Sequence, residues 1–320
     1  MKSQTHNLSI DKIIANWPSQ LDGHLHYCIG LSGGIDSIVL LHLFHKIRKI
    51  KPITLSAIHV NHGISPNAKS WSEFCAKICQ ELEITFNISE VNVVKIGGEG
   101  LENSARKLRY QEYYNHDTDV IILGHHQNDQ IETMLSQIMR GSDLHNCAGM
   151  KELSNRKNKV FWRPLLNIKK SDLIQYADKN NISYINDESN QDTKYLRNFI
   201  RNKIMPELNQ FDKNIENKFI RSIENIQYHV ELSDEFGKHD YDSCSEICGI
   251  NKQKFVQLSP NRQLNLLSYM VRINNLPLPS HNKLIEFCRQ IKTSSLDRHP
   301  SLVITNSLSL KLEKRYILIV

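Results

Sequence analysis

The feature that most constrains this chain is a junction. The apolar run Tyr27, Cys28, Ile29 and Leu31 gives way to Ser32-Gly33-Gly34-Ile35-Asp36-Ser37, and a helical apolar pattern follows through Ile38, Val39, Leu40, Leu41, Leu43 and Phe44. A buried strand thus feeds a helix through a polar turn. The two glycines accept positive φ and carry no Cβ, so successive backbone N–H groups can converge on one anion, with the helix N-terminus behind them. Ser32 and Ser37 add hydroxyl donors. A strand-to-helix turn with two convenient glycines is the plain alternative, and the β and α patterns on either side favour the phosphate cradle. No Gly-Lys-Ser or Gly-Lys-Thr follows, and Gly30, Gly33 and Gly34 lack the G-x-G-x-x-G spacing, so neither a Walker A loop nor a dinucleotide site is indicated.

The same alternation continues. Ile53, Leu55, Ala57, Ile58 and Val60 read as a second strand ending on His59-Val60-Asn61-His62-Gly63-Ile64, followed by a helix over 66–83 and a third strand over 86–94. Gly97-Gly98-Glu99-Gly100 reads as a loop, and the next helix carries Glu102, Arg106, Arg109 and Tyr110. A fourth strand over 120–123 ends in Gly124-His125-His126-Gln127-Asn128-Asp129-Gln130 before a helix over 131–140. Strands alternating with helices predict a doubly wound parallel α/β sheet, whose ligands sit beyond the carboxyl ends of the strands. Both histidine-bearing turns should therefore border the glycine loop.

Spacing adds two charge pairs. Arg106 and Arg109, three apart on a helix, can face one phosphate; Asp129 and Glu132, also three apart, can present two carboxylates to a metal or an ammonium group. The plainer readings are a solvated face and helix-end charges. Trp162-Arg163-Pro164-Leu165-Leu166, a helix over 169–181 and a polar, substrate-side stretch over 186–195 complete the first domain, 1–211. Within it Arg197, Asn198, Arg201 and Asn202 are expected on one helical face, with Arg201 reaching the crevice.

Residues 212–236 lack Gly and Pro and read as a connector helix; 237–320 read as a small α+β domain, with helices over 262–272 and 283–291 and strands over 302–305 and 316–320. The net charge of +6 falls entirely in 237–320, where 12 Lys and Arg face 6 Asp and Glu, while 1–236 balance at 28 of each. That asymmetry points to a polyanion, with Lys252, Lys254, Arg262, Arg272, Lys311, Lys314 and Arg315 as candidate phosphate contacts; a merely solvated basic surface is the alternative. No apolar run approaches the ~20 residues of a membrane span, and residues near the N-terminus lack the apolar core of a signal peptide, so the cytoplasm is expected. Seven scattered cysteines without a C-x-x-C pair point to reduced thiols and no structural metal.

The Ser32–Ser37 loop resembles the pyrophosphate-binding loop of the N-type ATP pyrophosphatases (PP-loop, adenine nucleotide alpha hydrolase-like). The segment 59–64, Glu102 with Arg106 and Arg109-Tyr110, the segment 124–140, Arg163-Pro164-Leu165-Leu166, and Asp187-Glu188-Ser189-Asn190 leading to Arg197-Asn198 and Arg201 narrow the resemblance to the tRNA(Ile)-lysidine synthases. One departure is Asn128, where that family often carries an acid. The resemblance implies that ATP, with Mg2+, adenylates the cytidine at the first anticodon position of tRNA(Ile) with a CAU anticodon, and that free L-lysine displaces AMP. It implies ATP contacts by Ser32, Gly33, Gly34, Ile35, Asp36, Ser37, His59 and Asn61, and catalytic roles for Asp36, His62, His125, Asp129 and Arg201. Asp129 and Glu132 would hold lysine or metal, Arg106, Arg109, Arg197, Lys311, Lys314 and Arg315 would hold tRNA, and a homodimer is conceivable. A tRNA thiolase, a small-molecule amidating ligase and a non-enzymatic RNA-binding module are the alternatives.

Overall fold

The computed structural model describes residues 8–93, 101–295 and 298–320; Val94, the Gly97–Gly100 loop and the side chain of Glu102 lie outside the described residues. The chain divides into two compact units, Met1–Ile223 and Glu224–Val320.

In the first unit, β1 (His26–Gly30), β2 (Thr54–Asn61), β3 (Thr85–Glu90), β4 (Val120–Ile122), β5 (Leu153–Arg156) and β6 (Lys159–Trp162) form one sheet in the order β3-β2-β1-β4-β6-β5. All neighbours are parallel except β5, which runs antiparallel to β6. The α/β expectation holds, with an addition: the β5–β6 hairpin is hidden in the sequence because its strands are only four residues each. Its two turn residues, Lys157 and Asn158, take φ of 47° and 62°, the left-handed pair that a two-residue hairpin requires.

Helices α1 (Ile10–Ala15), α2 (Ile35–Ile47) and α3 (Ala68–Glu81) cover one face of the sheet, and α4 (Leu101–Asn115) covers the other. The chain then runs through α5 (Gln127–Met139), α6 (Leu144–Cys147) and α7 (Lys170–Lys179), which returns to the α2 face. Ile38, Val39, Leu40, Leu41, Leu43 and Phe44 are all fully buried, which explains why α2 is apolar all round. Phe44 and Trp17 each meet Trp162 edge-on, with ring centroids 5.5 and 4.7 Å apart, and fix α1 and α2 against β6. Beyond α7, α8 (Leu196–Phe199) passes through a π-turn at Ile200–Ile204 into α9 (Met205–Phe211).

The topology places the site. From β1 the chain steps outward to β2 and β3, then crosses to β4 on the other flank of β1. The connections after β1 and β4 therefore diverge and open a crevice at their carboxyl ends, between the glycine loop and the Gly124–Gln130 turn.

The expected 212–236 connector is instead α10 (Ile215–Cys244), which runs across the boundary between the units. Gly237, which reads as a helix stop, lies inside it: a Cβ there would come 2.8 Å from the Tyr269 Cβ, so this glycine serves close packing rather than termination. The second unit continues with β7 (Ser245–Glu246), β8 (Gly249–Asn251), α11 (Lys252–Gln257), α12 (Pro260–Ile273), α13 (His281–Thr293), β9 (Ser301–Val303), β10 (Ser309–Glu313) and β11 (Tyr316–Ile319). Its sheet is antiparallel, in the order β7-β8-β11-β10-β9, over a core that includes Phe255, Leu266, Phe287, Ile291, Leu310 and Ile317. The boundary at Glu224 adds Glu224, Glu231, Asp234 and Glu235 to this unit, which then carries 12 basic against 10 acidic residues. The charge asymmetry read from 237–320 is thus a property of that segment and not of the folded unit.

Candidate active site

The glycine loop is held by its own serines. The Ser32 N–H donates to Ser37 Oγ at 3.2 Å, the two hydroxyls lie 3.1 Å apart, and Ser37 Oγ donates to the Gly34 carbonyl at 3.0 Å. Gly33 alone takes positive φ, +88°; Gly34, expected to share that freedom, sits at −71° and caps α2. A Cβ on Gly33 would also collide with Ile185 Cδ1 at 2.5 Å, where the chain before the 186–195 stretch bonds to the loop through Ile185 N–H and the Gly33 carbonyl. By helix geometry the first-turn amides of α2 remain as anion donors.

His59 and Asn61 hold this loop and the next turn in place. His59 Nδ1 lies 2.8 Å from the Leu31 carbonyl, tying β2 to the loop's start, and burial lowers its pKa, so it is neutral near pH 7. Asn61 gives Nδ2 to Ser72 and accepts from the Gly63 N–H at 2.8 Å, so its amide is spent inside the turn. His62 accepts from Arg109 through Nε2, at 3.3 Å from Nε and 3.2 Å from Nη2. Burial, then the Arg109 charge, push its pKa down to about 4; with its lone pair engaged, His62 is poorly suited to be a general base.

Asp36 and the turn after β4 meet. His126, 1% exposed, sets its Nε2 3.6 Å from Asp36 Oδ1 and 3.4 Å from Asp129 Oδ2, while Lys170 Nζ lies 3.6 Å from Asp36 Oδ2. Burial works to raise the Asp36 pKa, but His126 and Lys170 outweigh it and hold the carboxyl below its ordinary value. For Asp129 too, burial opposes ionisation, and His126, Arg197 and His125 prevail. The half-buried His125 is pushed down to about 3, chiefly by desolvation, with Asp129 pulling the other way and Arg163, Arg197 and Arg106 adding to the fall. It is a neutral imidazole. His126, which sequence reading passed over, sets its ring between the two carboxylates, and its backbone N–H donates to Asp129 Oδ2 at 2.9 Å, the N-terminal capping geometry that the His126-to-Asp129 spacing encodes. Lys170 had no local signal, since α7 delivers it from 134 residues beyond Asp36.

The expected cation receiver is already occupied. Arg197 donates to Glu132 at 2.7 Å and Asp129 at 2.5 Å; Arg201 donates twice to Glu132, at 2.6 and 2.8 Å. Glu132 is 3% exposed. Two carboxylates and two guanidiniums thus make a neutral tetrad that docks α5 on α8 and the π-turn. The expected single face of Arg197, Asn198, Arg201 and Asn202 is split: Asn198 Nδ2 holds the Ser189 and Asp192 carbonyls and Asn202 Nδ2 holds that of Asn190. The arginines face α5 and the asparagines hold the 186–195 stretch. Asn128, the departure from the family pattern, links α7 to α10 by accepting from the Lys170 N–H and donating to Glu216.

Mg2+ binds through one or two carboxylates plus substrate phosphates. Asp36 Oδ1, sealed from solvent and without a hydrogen-bond partner, fits that requirement; Asp129, held by Arg197, does not without rearrangement. Among the described residues no group of three His, Cys, Asp or Glu side chains could hold a metal by itself. Cys28, Cys75 and Cys79 lie in the core, and burial pushes each thiol up to about 12, far from a reactive thiolate. A separate cavity of about 500 Å³, lined by His26, Thr54, Ser56, Thr85, Glu112 and His116, opens near the amino ends of β1, β2 and β3, away from the glycine loop.

In the second unit most expected phosphate contacts are internally paired. Arg262 binds the fully buried Asp240, Arg272 donates to Asp234 at 2.7 Å, Lys254 pairs with Glu246 at 3.2 Å, and Lys252 donates to the Ser294 carbonyl at 2.9 Å. Lys314 and Arg315 instead form the exposed tip of the β10–β11 hairpin, with Lys311 half-buried on β10. No helix among the described residues is long and apolar enough to cross a membrane.

The family model of the PP-loop domain matches residues 2–208. A tRNA(Ile)-lysidine synthase of Chromobacterium violaceum is 36% identical over 91% of this chain and 68% of its own length; one of Histophilus somni is 36% identical over 94% and 71%, and one of Nitrosomonas europaea 35% over 85% and 60%. The chain therefore spans about 60 to 71% of these relatives. The solved U34-tRNA thiolase of Methanococcus maripaludis shares the fold, with a TM-score of 0.56 and 21% identity over 69% of this chain and 78% of the other. With the loop, the crevice and the matched length in agreement, this chain belongs to the PP-loop family and, within it, to the tRNA(Ile)-lysidine synthases.

Proposed function

We propose that this chain ligates free L-lysine to the cytidine at the first anticodon position of tRNA(Ile) with a CAU anticodon, forming lysidine through an adenylated tRNA. The ring carbonyl oxygen attacks the α-phosphorus of ATP and pyrophosphate leaves; the lysine amine then adds to that ring carbon, AMP leaves, and the amine gives up a proton. The observation that carries this reading is the glycine loop set at the strand crossover, directly beside Asp36, His126 and Asp129.

Ser32, the Gly33 and Gly34 backbone, Ile35 and Ser37 bind the departing pyrophosphate by converging N–H and hydroxyl donors. Asp36 would hold Mg2+, which neutralises phosphate charge when bound. Lys170 orients Asp36, and His126, set between two carboxylates, accepts the proton from the incoming amine. Asp129 and Glu132 receive the lysine ammonium by exchange with one arginine of the tetrad, and the released Arg201 turns to the adenylate phosphate. Arg109, Lys311, Lys314 and Arg315 contact tRNA phosphates. An enzyme of this kind works where its tRNA is, in the cytoplasm.

Incubation with ATP, Mg2+, labelled lysine and bulk bacterial tRNA tests the reading. Label should enter tRNA with release of AMP and pyrophosphate. Formation of ADP and phosphate would overturn the loop assignment, and AMP without label in tRNA would overturn the lysine assignment.

A further inference from the structure

A second group of arginines, near His125, has no carboxylate partner among the described residues. Arg163, the first residue beyond the carboxyl end of β6, is 3% exposed, and Tyr110 on α4 is 9% exposed. Arg163 spends Nη1 on the Lys151 carbonyl at 2.9 Å and Ser154 Oγ at 3.1 Å, while its Nε and the Tyr110 hydroxyl, sealed from solvent beside one another, interact without closing a well-formed hydrogen bond. Arg106 and Arg156, both exposed, stand over the Tyr110 ring with guanidinium carbons 5.1 and 5.8 Å from its centroid. Among the described residues none of these three arginines makes an ion pair, whereas Arg197 and Arg201 have two carboxylates between them.

A buried guanidinium without a counterion is costly, and so is a sealed donor without an acceptor. Both deficits are relieved by one oxyanion entering past Arg106 to reach Arg163 Nε and the Tyr110 hydroxyl. Burial of the floor favours a terminal oxyanion over a phosphodiester, whose chain must continue on both sides. We propose that Tyr110, Arg163 and Arg106 bind the α-carboxylate of the lysine substrate, an inference that rests on the function proposed above. Asp129, Arg163 and Arg106 all lie close enough to His125 to act on its charge, so the proposed carboxylate site and the Asp129–Glu132 pair share that neighbour, as the two ends of one amino acid would require.

Lysine and lysinamide, which carries a neutral amide in place of the carboxylate, separate the possibilities. The wild type should use lysine at least about 10-fold better in kcat/KM, the worth of one charge-assisted hydrogen bond. Tyr110→Phe and Arg106→Gln, which spare the deeply buried Arg163, should raise KM for lysine by a similar factor, leave KM for lysinamide as it was, and so erase the preference. Binding of tRNA(Ile) to both variants should match the wild type. An unchanged preference for lysine overturns the inference, and so does weaker tRNA binding with the preference intact, which would make this a phosphate site. A wild type that puts neither amine into tRNA would instead overturn the proposed function.

Discussion

Two arginine clusters lie near His125, and they differ in what completes them. Arg197 and Arg201 are neutralised within the chain by Asp129 and Glu132, at 2.5 to 2.8 Å, whereas Arg106, Arg156 and Arg163 have, among the described residues, only a tyrosine, a hydroxyl and a backbone carbonyl. The first is a closed structural unit that must open to take a ligand. The second is an open one that a ligand completes. Equal residue types in neighbouring positions therefore have different uses, decided by which charges the fold brings to them.

The largest expected effect follows from breaking the closed cluster. Glu132→Gln leaves two guanidiniums short of a buried carboxylate and should cost about 3–5 kcal/mol of stability, read from urea unfolding of the whole chain. Arg106→Gln, at the exposed rim of the open cluster, should stay within about 0.5 kcal/mol. Equal losses would erase the distinction.

Asp36 sharpens it from outside, because it shares His126 with Asp129 but belongs to the chemistry. Asp36→Asn should reduce AMP formation by about 100- to 1000-fold, the scale seen when one electrostatic stabiliser is removed, with little change in unfolding. A large stability loss with activity retained would make Asp36 structural.

His125, which feels both clusters, supplies a pH test. Its folded pKa of about 3 and that of His62, about 4, lie below the ordinary value near 6.5, so the unfolded chain takes up protons first as pH falls. Stability from these histidines should be complete above about pH 6.5 and decline from there toward pH 4. Asp36 and Asp129, also held low, add a loss that begins near pH 4 and deepens below it. His125→Asn should make the upper decline shallower in urea titrations between pH 7.5 and 4; an unchanged curve would remove His125 from it.

The smallest effect lies in the second unit, where the same contrast recurs between paired Arg262 and Arg272 and the hairpin tip, which makes no ion pair among the described residues. Replacing Lys314 and Arg315 with glutamine should weaken tRNA binding and flatten its log–log salt dependence by roughly 0.7 to 0.9 per lost phosphate contact. Superimposable curves would return those charges to the plain surface reading.

The sequence by itself determined the β1–loop–α2 junction, the parallel α/β class and the convergence of the strand-end turns, because each is a local pattern: an apolar run, a glycine turn, a 3.6-residue repeat. It also placed Asp129 and Glu132 on one side of a helix. It could not tell who faces them, since Arg197 arrives from 65 residues away and Lys170 reaches Asp36 across 134. Nor could it show that Asn61 is spent inside its turn, that Gly237 packs rather than stops a helix, or that four acids of α10 belong to the second unit. Periodicity records which side of an element is buried, whereas pairing, pKa and vacancy depend on charges brought together by chain crossings, and only the tertiary structure decided those.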